Sequence, residues 1–459
     1  MNTLPLPPTP SLSRFKQTRG FTGRPYELMA ACRRECGPIF RLDLLGMGTW
    51  VLVCDPPTLI ALHKMPEEKV VAGKIHFKVL GDKLSPFASF SIDGPEFMRR
   101  RKRIVPHLNG RRIWSHADTI RRVVLAELDQ WPRGETFAFA HRAFALSVDL
   151  IARVVFSAAD DDVLQRIEER VDRFMGSFHA PGIMNPMLQF ELGGLTPWGR
   201  FVRARRVFWD LIVELAEERL ASGPLPDKAD DIFTELLLLH KEDPESFPLE
   251  HLAHEVSSLF VGGAESTAKT LLWTFLGLLE QPHTVERLRA ELDDVLGGAP
   301  ITVDTIGKLP YLDAVINEGM RYRPVGPFAG LRLTAADIEL GGFKIPARTV
   351  IAQCLSEAGR LEEVFPVPDR FDPDSNFLGR RLSPREWLPF GGGIRMCFGK
   401  GLAIAEMAIT VAETFRNFEL ELVPGDHRPK RDGIGFGPAD GLRIVARERA
   451  AIQSADAAA

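Results

Sequence analysis

Along most of this chain of 459 residues apolar side chains recur three or four positions apart, the spacing that puts one continuous stripe on an α-helix. It predicts helices over 125–131, 144–156, 167–174, 201–220, 232–239 and 285–296. Alternating patterns that suit half-buried strands are fewer. Segments 39–44 and 49–54 read as a hairpin around Gly46 and Gly48, and 338–340, 343–345 and 350–353 as a small antiparallel sheet. The expected fold is mainly α with a minor β-sheet region drawn from both ends. The longest apolar stretch runs from 249 to about 280, which at 1.5 Å per residue is a helix of ~45 Å that crosses the whole domain. Its middle reads Gly262-Gly263-Ala264-Glu265-Ser266-Thr267. Two glycines, a carboxylate and two hydroxyls on a buried helix mark either close packing with back-bonded hydroxyls or a helix opened over a ligand.

Composition narrows the class. With 45% hydrophobic and 26% charged residues and a formal charge of −4, the chain has ample material for a core and no reason to bind nucleic acid over its whole surface. Neither an internal repeat nor a Gly/Ser linker divides it, so we expect one domain over 25–447. Proline-rich residues 1–24 form an extended N-terminal arm and 448–459 a C-terminal tail, frayed at 454–459; 221–231 is a surface connection between helices. No apolar run near the start is long enough for an anchor or signal peptide. The five cysteines, Cys32, Cys36, Cys54, Cys354 and Cys397, are odd in number and scattered, against a disulfide framework and for a reducing, cytoplasmic setting.

One cysteine stands apart. Phe390-Gly391-Gly392-Gly393-Ile394-Arg395-Met396-Cys397-Phe398-Gly399 is a glycine-rich loop that delivers a thiol to the start of an apolar helix. Backbone amides there favour a thiolate, and glycines on both sides let a flat, bulky ligand approach the main chain. No second Cys or His lies at zinc-like spacing. A buried filler cysteine and a phosphate loop are the alternatives, although the Lys-Ser/Thr of a phosphate loop is missing.

The loop resembles the haem-binding signature of the cytochrome P-450 family, F-x-x-G-x-R-x-C-x-G, at Phe390, Gly393, Arg395, Cys397 and Gly399. Other family landmarks follow in order: Glu318 and Arg321 are similar to its E-x-x-R pair, Pro368-Asp369-Arg370-Phe371 to the segment whose arginine completes a Glu-Arg-Arg cluster, and 263–267 to its oxygen-activating stretch. The resemblance implies the P-450 fold, with the long central helix over haem b and the cysteine loop beneath. It implies that Cys397 ligates the haem iron, that Arg101, Arg332 and Arg395 meet the propionates, and that Glu318, Arg321 and Arg370 form a structural network. Glu265, with Ser266 or Thr267, would pass protons toward bound O2, a task for a mobile carboxylate beside a hydroxyl. The implied reaction inserts one oxygen atom from O2 into a lipophilic small molecule such as a terpenoid, steroid, fatty acid or aromatic compound, by hydroxylation or epoxidation.

Family position puts pocket walls at 87–92, 174–190, Val261, Ala264, Phe328, Ala329 and 436–438, including Phe436. No flavin or iron–sulfur domain fits in the chain, so electrons would come from a ferredoxin or flavodoxin with its reductase. Arg99–Arg103 with Arg111 and Arg112 offer a basic patch for such a donor, or merely a solvated helix face. The protein is expected to be monomeric. Two departures stand out: Phe97 occupies a position that is usually Trp or His, which would remove one hydrogen bond to a propionate, and Ser266 stands where threonine is usual. A peroxide-driven peroxygenase or isomerase and a non-enzymatic haem sensor are the other readings.

Overall fold

The computed structural model describes residues 4–80, 85–157, 161–180, 183, 188–192 and 194–449. Periodicity located the helices, and caps set their ends. The six predicted stretches lie in or overlap Ala117–Asp129, Phe139–Val155, Asp161–Phe178, Pro197–Ala221, Ile232–Glu242 and Pro282–Leu296. Asp231 accepts from the amide of Thr234 at 2.7 Å and Thr196 from that of Gly199 at 3.0 Å, side-chain caps that satisfy orphan N–H groups of the first turn. The central helix spans Leu249–Glu280 and packs lengthwise on Phe139–Val155. Gly263 permits this approach, because a Cβ there would collide with Ile151. A bulkier residue would force the two helices apart. No helix among the described residues is long and apolar enough to cross a membrane.

The strands are β1 (Ile39–Leu44), β2 (Gly48–Val53), β3 (Val70–Val71), β4 (Thr136–Ala138), β5 (Ala329–Thr334), β6 (Ile338–Leu340), β7 (Phe343–Ile345), β8 (Val350–Gln353), β9 (Phe418–Leu422), β10 (Pro429–Asp432), β11 (Gly435–Pro438) and β12 (Arg443–Glu448). β1 and β2 form the expected hairpin. The second group differs from expectation. β6 and β7 pair alone, whereas β8 crosses to lie parallel to β2 and antiparallel to β5, giving the order β1-β2-β8-β5-β3. The four residues of β8 are all buried, as suits an interior strand covered on both faces. β4, β9 and β12 make a separate sheet and β10 and β11 a hairpin.

The N-terminal arm is extended only to about residue 12; Arg14–Gly23 is a helix. Its carbonyls are used: Pro8 accepts from the Arg41 amide at 2.7 Å and Pro5 from that of Lys344 at 2.9 Å. At the other end β12 continues to Glu448, and Arg449 binds Asp293 at 3.0 Å. The expected frayed segment 454–459 lies outside the described residues.

A buried acid adds a pH-dependent term to this core. Glu406, on the helix Lys400–Asn417, is 1% exposed. Ser147 Oγ donates to its carboxyl. Burial pushes the carboxyl up to about 8, against the pull of Ser147. The unfolded chain loses this proton near the ordinary carboxylate value while the folded chain keeps it to about pH 8, so this group lowers stability as pH rises through that window. Glu406→Gln removes the term. The melting temperature of the variant relative to the parent is expected to climb from about pH 5 to 8, with a slope that can approach ~1.4 kcal/mol per pH unit. A pH-independent difference between the two proteins would show that Glu406 is ionised in the folded state.

Candidate active site

The loop that carries Cys397 is built by backbone constraints. Gly393 has φ of +65° and a Cβ there would lie 2.8 Å from the carbonyl oxygen of His63, so only glycine fits. The Cys397 amide donates to Phe390 O at 3.0 Å, and the helix Lys400–Asn417 begins three residues later. Burial pushes the Cys397 thiol up, while the Gly399 N–H, Arg101 and Lys400 pull it down. Cys397 sits deep in the protein yet its side chain is solvent-accessible. A group that is both deep and accessible faces a void. The other cysteines are packed: Cys32, Cys54 and Cys354 are buried in the core near the N-terminus and Cys36 is partly buried against it. Burial pushes Cys32 up to about 12, which makes it an inert thiol.

The three predicted propionate arginines are held differently. Arg101 donates to Met396 O at 2.8 Å and lies 5.0 Å from the Phe398 ring centroid, against the cysteine loop. Arg395 pairs with Asp93 at 2.5 Å. Its guanidinium lies 3.5 Å from the centre of the Phe97 ring. The unusual Phe97 thus supplies a cation–π platform for Arg395 where a hydrogen-bonding side chain would otherwise stand. Arg332 is buried and donates only to carbonyls, Leu331 O at 2.9 Å and Gly330 O at 3.3 Å. Burial and the neighbouring Arg395 pull it down to about 10. His76, which the sequence did not single out, joins this group. It stacks on Phe90 at 4.2 Å, and burial, Arg332 and Arg395 push its imidazole down to about 3.

In the middle of the central helix, over 255–278, the accessible positions are Ser258, Leu259, Gly262, Gly263 and Ser266, amid buried neighbours. Ser258, Gly262 and Ser266 are spaced i, i+4, i+8 and share one face. A Cβ on Gly262 would meet nothing within 4 Å. Ser266 Oγ donates to Gly262 O at 2.7 Å, while Thr267 is 4% exposed. Glu265 is not the free acid expected. Lys269 Nζ pairs with its Oε1 at 2.5 Å, and the Gly435 amide donates to the same oxygen at 2.7 Å. Of the predicted pocket walls, Ala329 is accessible and Phe87 and Phe90 are exposed. Val261, Ala264 and Phe436 are buried, on a helix face turned from Gly262 or against Tyr26, which meets Phe436 at 5.4 Å. Phe328 stacks on Phe21 at 4.9 Å in the N-terminal core. Segment 174–190 is described only through 180 and at 183 and 188–190; the remainder lies outside the described residues.

The Glu318 and Arg321 pair is fully buried, with N···O distances of 2.6 and 2.7 Å. Arg321 also donates to Gly359 O, Pro368 O and Arg370 O at 2.7, 2.7 and 2.8 Å. The Arg370 side chain does not join them: it is 61% exposed and binds Asp372 at 2.9 Å. Its place beside Glu318 is taken by the Asp372 amide at 2.6 Å and Asn376 Nδ2 at 3.0 Å. A guanidinium on the surface keeps its hydration, while a short amide fits the pocket without a further buried charge. Three cations of the basic run are likewise paired with carboxylates. Arg99 and Arg100 bind Glu96 at 2.8 and 2.6 Å, Arg100 also meets Glu255, Arg103 binds Glu235 at 2.7 Å and Glu242, and Arg112 donates to Ala229 O.

An exposed thiol on a glycine loop, a buried guanidinium that no carboxylate bridges among the described residues, and a gap over Gly262 suit a flat dianionic metal macrocycle. The residues fit haem. Cys397 would supply the sulfur ligand, Arg101, Arg332 and Arg395 would form the cationic side, and the face Ser258, Gly262 and Ser266 would form the opposing wall.

Comparison with known proteins agrees. The Cytochrome P450 family model matches residues 4–438. Putative cytochrome P450 138 of Mycobacterium tuberculosis is 29% identical over 447 residues, covering 97% of each chain. Putative cytochrome P450 135B1 of the same species is 28% identical over 450 residues, 97% of this chain and 92% of that one. Among solved structures, retinoic acid bound cyanobacterial CYP120A1 superposes with a TM-score of 0.82 at 22% identity, covering 98% of this chain and 100% of that chain. The cytochrome P450DA heme domain gives 0.77 at 21%, covering 98% and 99%. The chain belongs to the cytochrome P450 family and is an oxidoreductase of the haem-thiolate monooxygenase class.

Proposed function

We propose that this protein inserts one oxygen atom from O2 into a lipophilic small molecule, with electrons supplied by separate proteins. The observation that carries the reading is the accessible, deep Cys397 on its glycine loop. Haem, when bound, supplies the iron that binds and activates oxygen. The chain's own residues do the rest. Cys397 holds the metal through a thiolate whose charge the Gly399 N–H and Arg101 stabilise. Arg332, Arg395 and Arg101 neutralise the propionates. Phe87 presents an apolar ring near the N-terminal end of the central helix, where it stacks on His251 at 4.2 Å, and Phe90 presents one beside His76; such a lining selects apolar substrates. For the electron donor, the pairing of Arg99, Arg100 and Arg103 with carboxylates leaves Arg101, Lys102, Arg111 and Arg112 as the cations of the basic run for which no ion pair is described, Arg101 and Arg112 donating to backbone carbonyls instead. An acidic ferredoxin or flavodoxin would therefore meet a weaker field than the sequence suggests.

Proton delivery falls to Glu265 and Ser266. Ser266 donates its own proton to Gly262 O, which leaves its oxygen lone pairs free to accept from a water on the accessible face. Thr267 is buried and would act only as a substitute. In Ser266→Ala, Thr267→Val protein, haem content and substrate binding are expected to persist. Product per electron pair should fall by about tenfold, less than the ~10²–10⁴-fold span of general acid–base catalysis because water partly substitutes. Equal coupling in variant and parent would place proton delivery elsewhere. The class of reaction is tested by a screen of terpenoid, steroid, fatty-acid and aromatic compounds for the optical shift on displacement of water from ferric haem. Turnover of each hit with O2 plus donor is then compared with peroxide alone, and turnover with peroxide only would overturn the monooxygenase reading.

A further inference from the structure

We propose that Lys269 is a positioning residue that clamps the Glu265 carboxylate onto the β10–β11 hairpin, so that proton delivery waits on release of this clamp. The proposal rests on the reading of Glu265 as the proton-relay acid. Glu265 and Lys269 sit one turn apart on the central helix with side chains 4% and 6% exposed. The ammonium also donates to Asp432 O, at the end of β10, and the Gly435 amide at the start of β11 donates to Glu265 Oε1 at 2.7 Å. Between them Gly433 has φ of +68°, and a Cβ there would lie 2.7 Å from Oε1 and 2.8 Å from Oε2. The hairpin backbone is thus fitted around the carboxylate so closely that no side chain can stand at that position. Glu265 Oε2 is buried. The clamp holds the carboxylate through Oε1, and among the described protein groups none donates to Oε2.

The pose released from the clamp is set by helix geometry. Adjacent residues on a helix point ~100° apart, and Ser266 faces the accessible side while Glu265 is turned to the hairpin. Glu265 reaches the Ser266 side only by a rotamer change that breaks its contacts with Lys269 and Gly435. Leaving a buried ammonium behind opposes that change. Lys269 would be compensated by its bond to Asp432 O and by Asp432 itself, which lies close enough to be influenced by its charge. The Asp432 carboxylate pairs with His179 at 2.8 Å, just past the helix Asp161–Phe178. The groups on the hairpin that face the acid are thus Arg431, whose charge interacts with Glu265, and Asp432. In each cycle the acid gains one proton that comes ultimately from solvent, gives it up at Ser266 and returns as carboxylate to the ammonium, so the proton balance closes.

Two variants of the haem-loaded protein test this, one removing the ammonium and one displacing the carboxylate. Lys269→Met keeps the aliphatic stem. Gly433→Ala puts a methyl group where the carboxylate lies and leaves Lys269 in place. In crystal structures of both, Glu265 is expected off the Gly435 amide and turned toward Ser266. The solvent deuterium isotope effect on substrate turnover is expected to fall by about half, with substrate KM unchanged, and Lys269→Arg should restore the parental value. A carboxylate that remains on Gly435 in Lys269→Met, or an unchanged isotope effect in both variants, overturns the clamp. Glu265→Gln separates the two ideas. If it uncouples turnover while Lys269→Met does nothing, the clamp falls and the relay acid stands; if Glu265→Gln is itself fully coupled, both fall.

Discussion

Cys397→Ala protein is expected to fold and to lose the haem-thiolate signature. The thiol is solvent-accessible, so its loss opens no closed cavity in the core, and the Gly399 N–H that donates to it loses one acceptor. The destabilisation should stay within about 0.5–1.5 kcal/mol, the net worth of one hydrogen bond whose donor can turn to solvent. The red-shifted band of the reduced carbonyl complex should vanish. Oxygen insertion should drop on the order of a thousandfold or more, because losing several kcal/mol of electronic assistance from the ligand costs tenfold per ~1.4 kcal/mol. A variant that keeps the band would sink the assignment of Cys397 as ligand.

Arg321→Ala is expected to have the opposite phenotype, loss of the fold before loss of chemistry. The side chain is 0% exposed and satisfies both oxygens of Glu318 and three backbone carbonyls. Its removal leaves a buried carboxylate whose remaining donors are the Asp372 amide and Asn376. Breaking a buried pair costs ~3–5 kcal/mol, against a whole stability of roughly 5–15 kcal/mol. Little haem-loaded protein should accumulate, and Arg321→Lys should recover only part, since one ammonium cannot span five acceptors. Arg370→Ala supplies the contrast. That side chain is exposed and binds Asp372 at the surface, so the stability of the variant should match the parent within the ~0.5 kcal/mol usual for surface changes. Equal damage from Arg370→Ala and Arg321→Ala would contradict the arrangement seen here.

These two arginines show how far the sequence could be read. The motif located both positions, but a motif cannot say whether a residue acts through its side chain or its peptide group. Arg370 contributes its carbonyl, and the donor beside Glu318 is Asn376, which no spacing rule pointed to. The central helix was legible almost to the residue because thirty apolar-rich positions leave no alternative to a buried helix. β8 was legible as a strand and misplaced as a partner, since its parallel pairing with β2 joins segments three hundred residues apart and nothing local encodes it. β9, with Phe418, Leu420 and Leu422 in alternation, carried a readable period of two that the preceding helical run obscured. Lys269, four residues after Glu265, was also legible as a helical pair. The hairpin that gives the pair its meaning comes from residues 429–438, and only the fold brings it there.

The same distinction between local signal and long-range closure bears on the proline-rich arm. β1 is the outer strand of its sheet and β7 one half of a two-stranded ribbon, so each has a free row of amides and carbonyls. The carbonyls of Pro8 and Pro5 occupy one amide on each. Proline brings no amide of its own into such a contact, so the arm caps both edges without offering a new template at those positions. It works as a guard against edge-to-edge self-association, and the start of the chain matters to colloidal behaviour at high concentration even though it lies far from the thiol that does the chemistry.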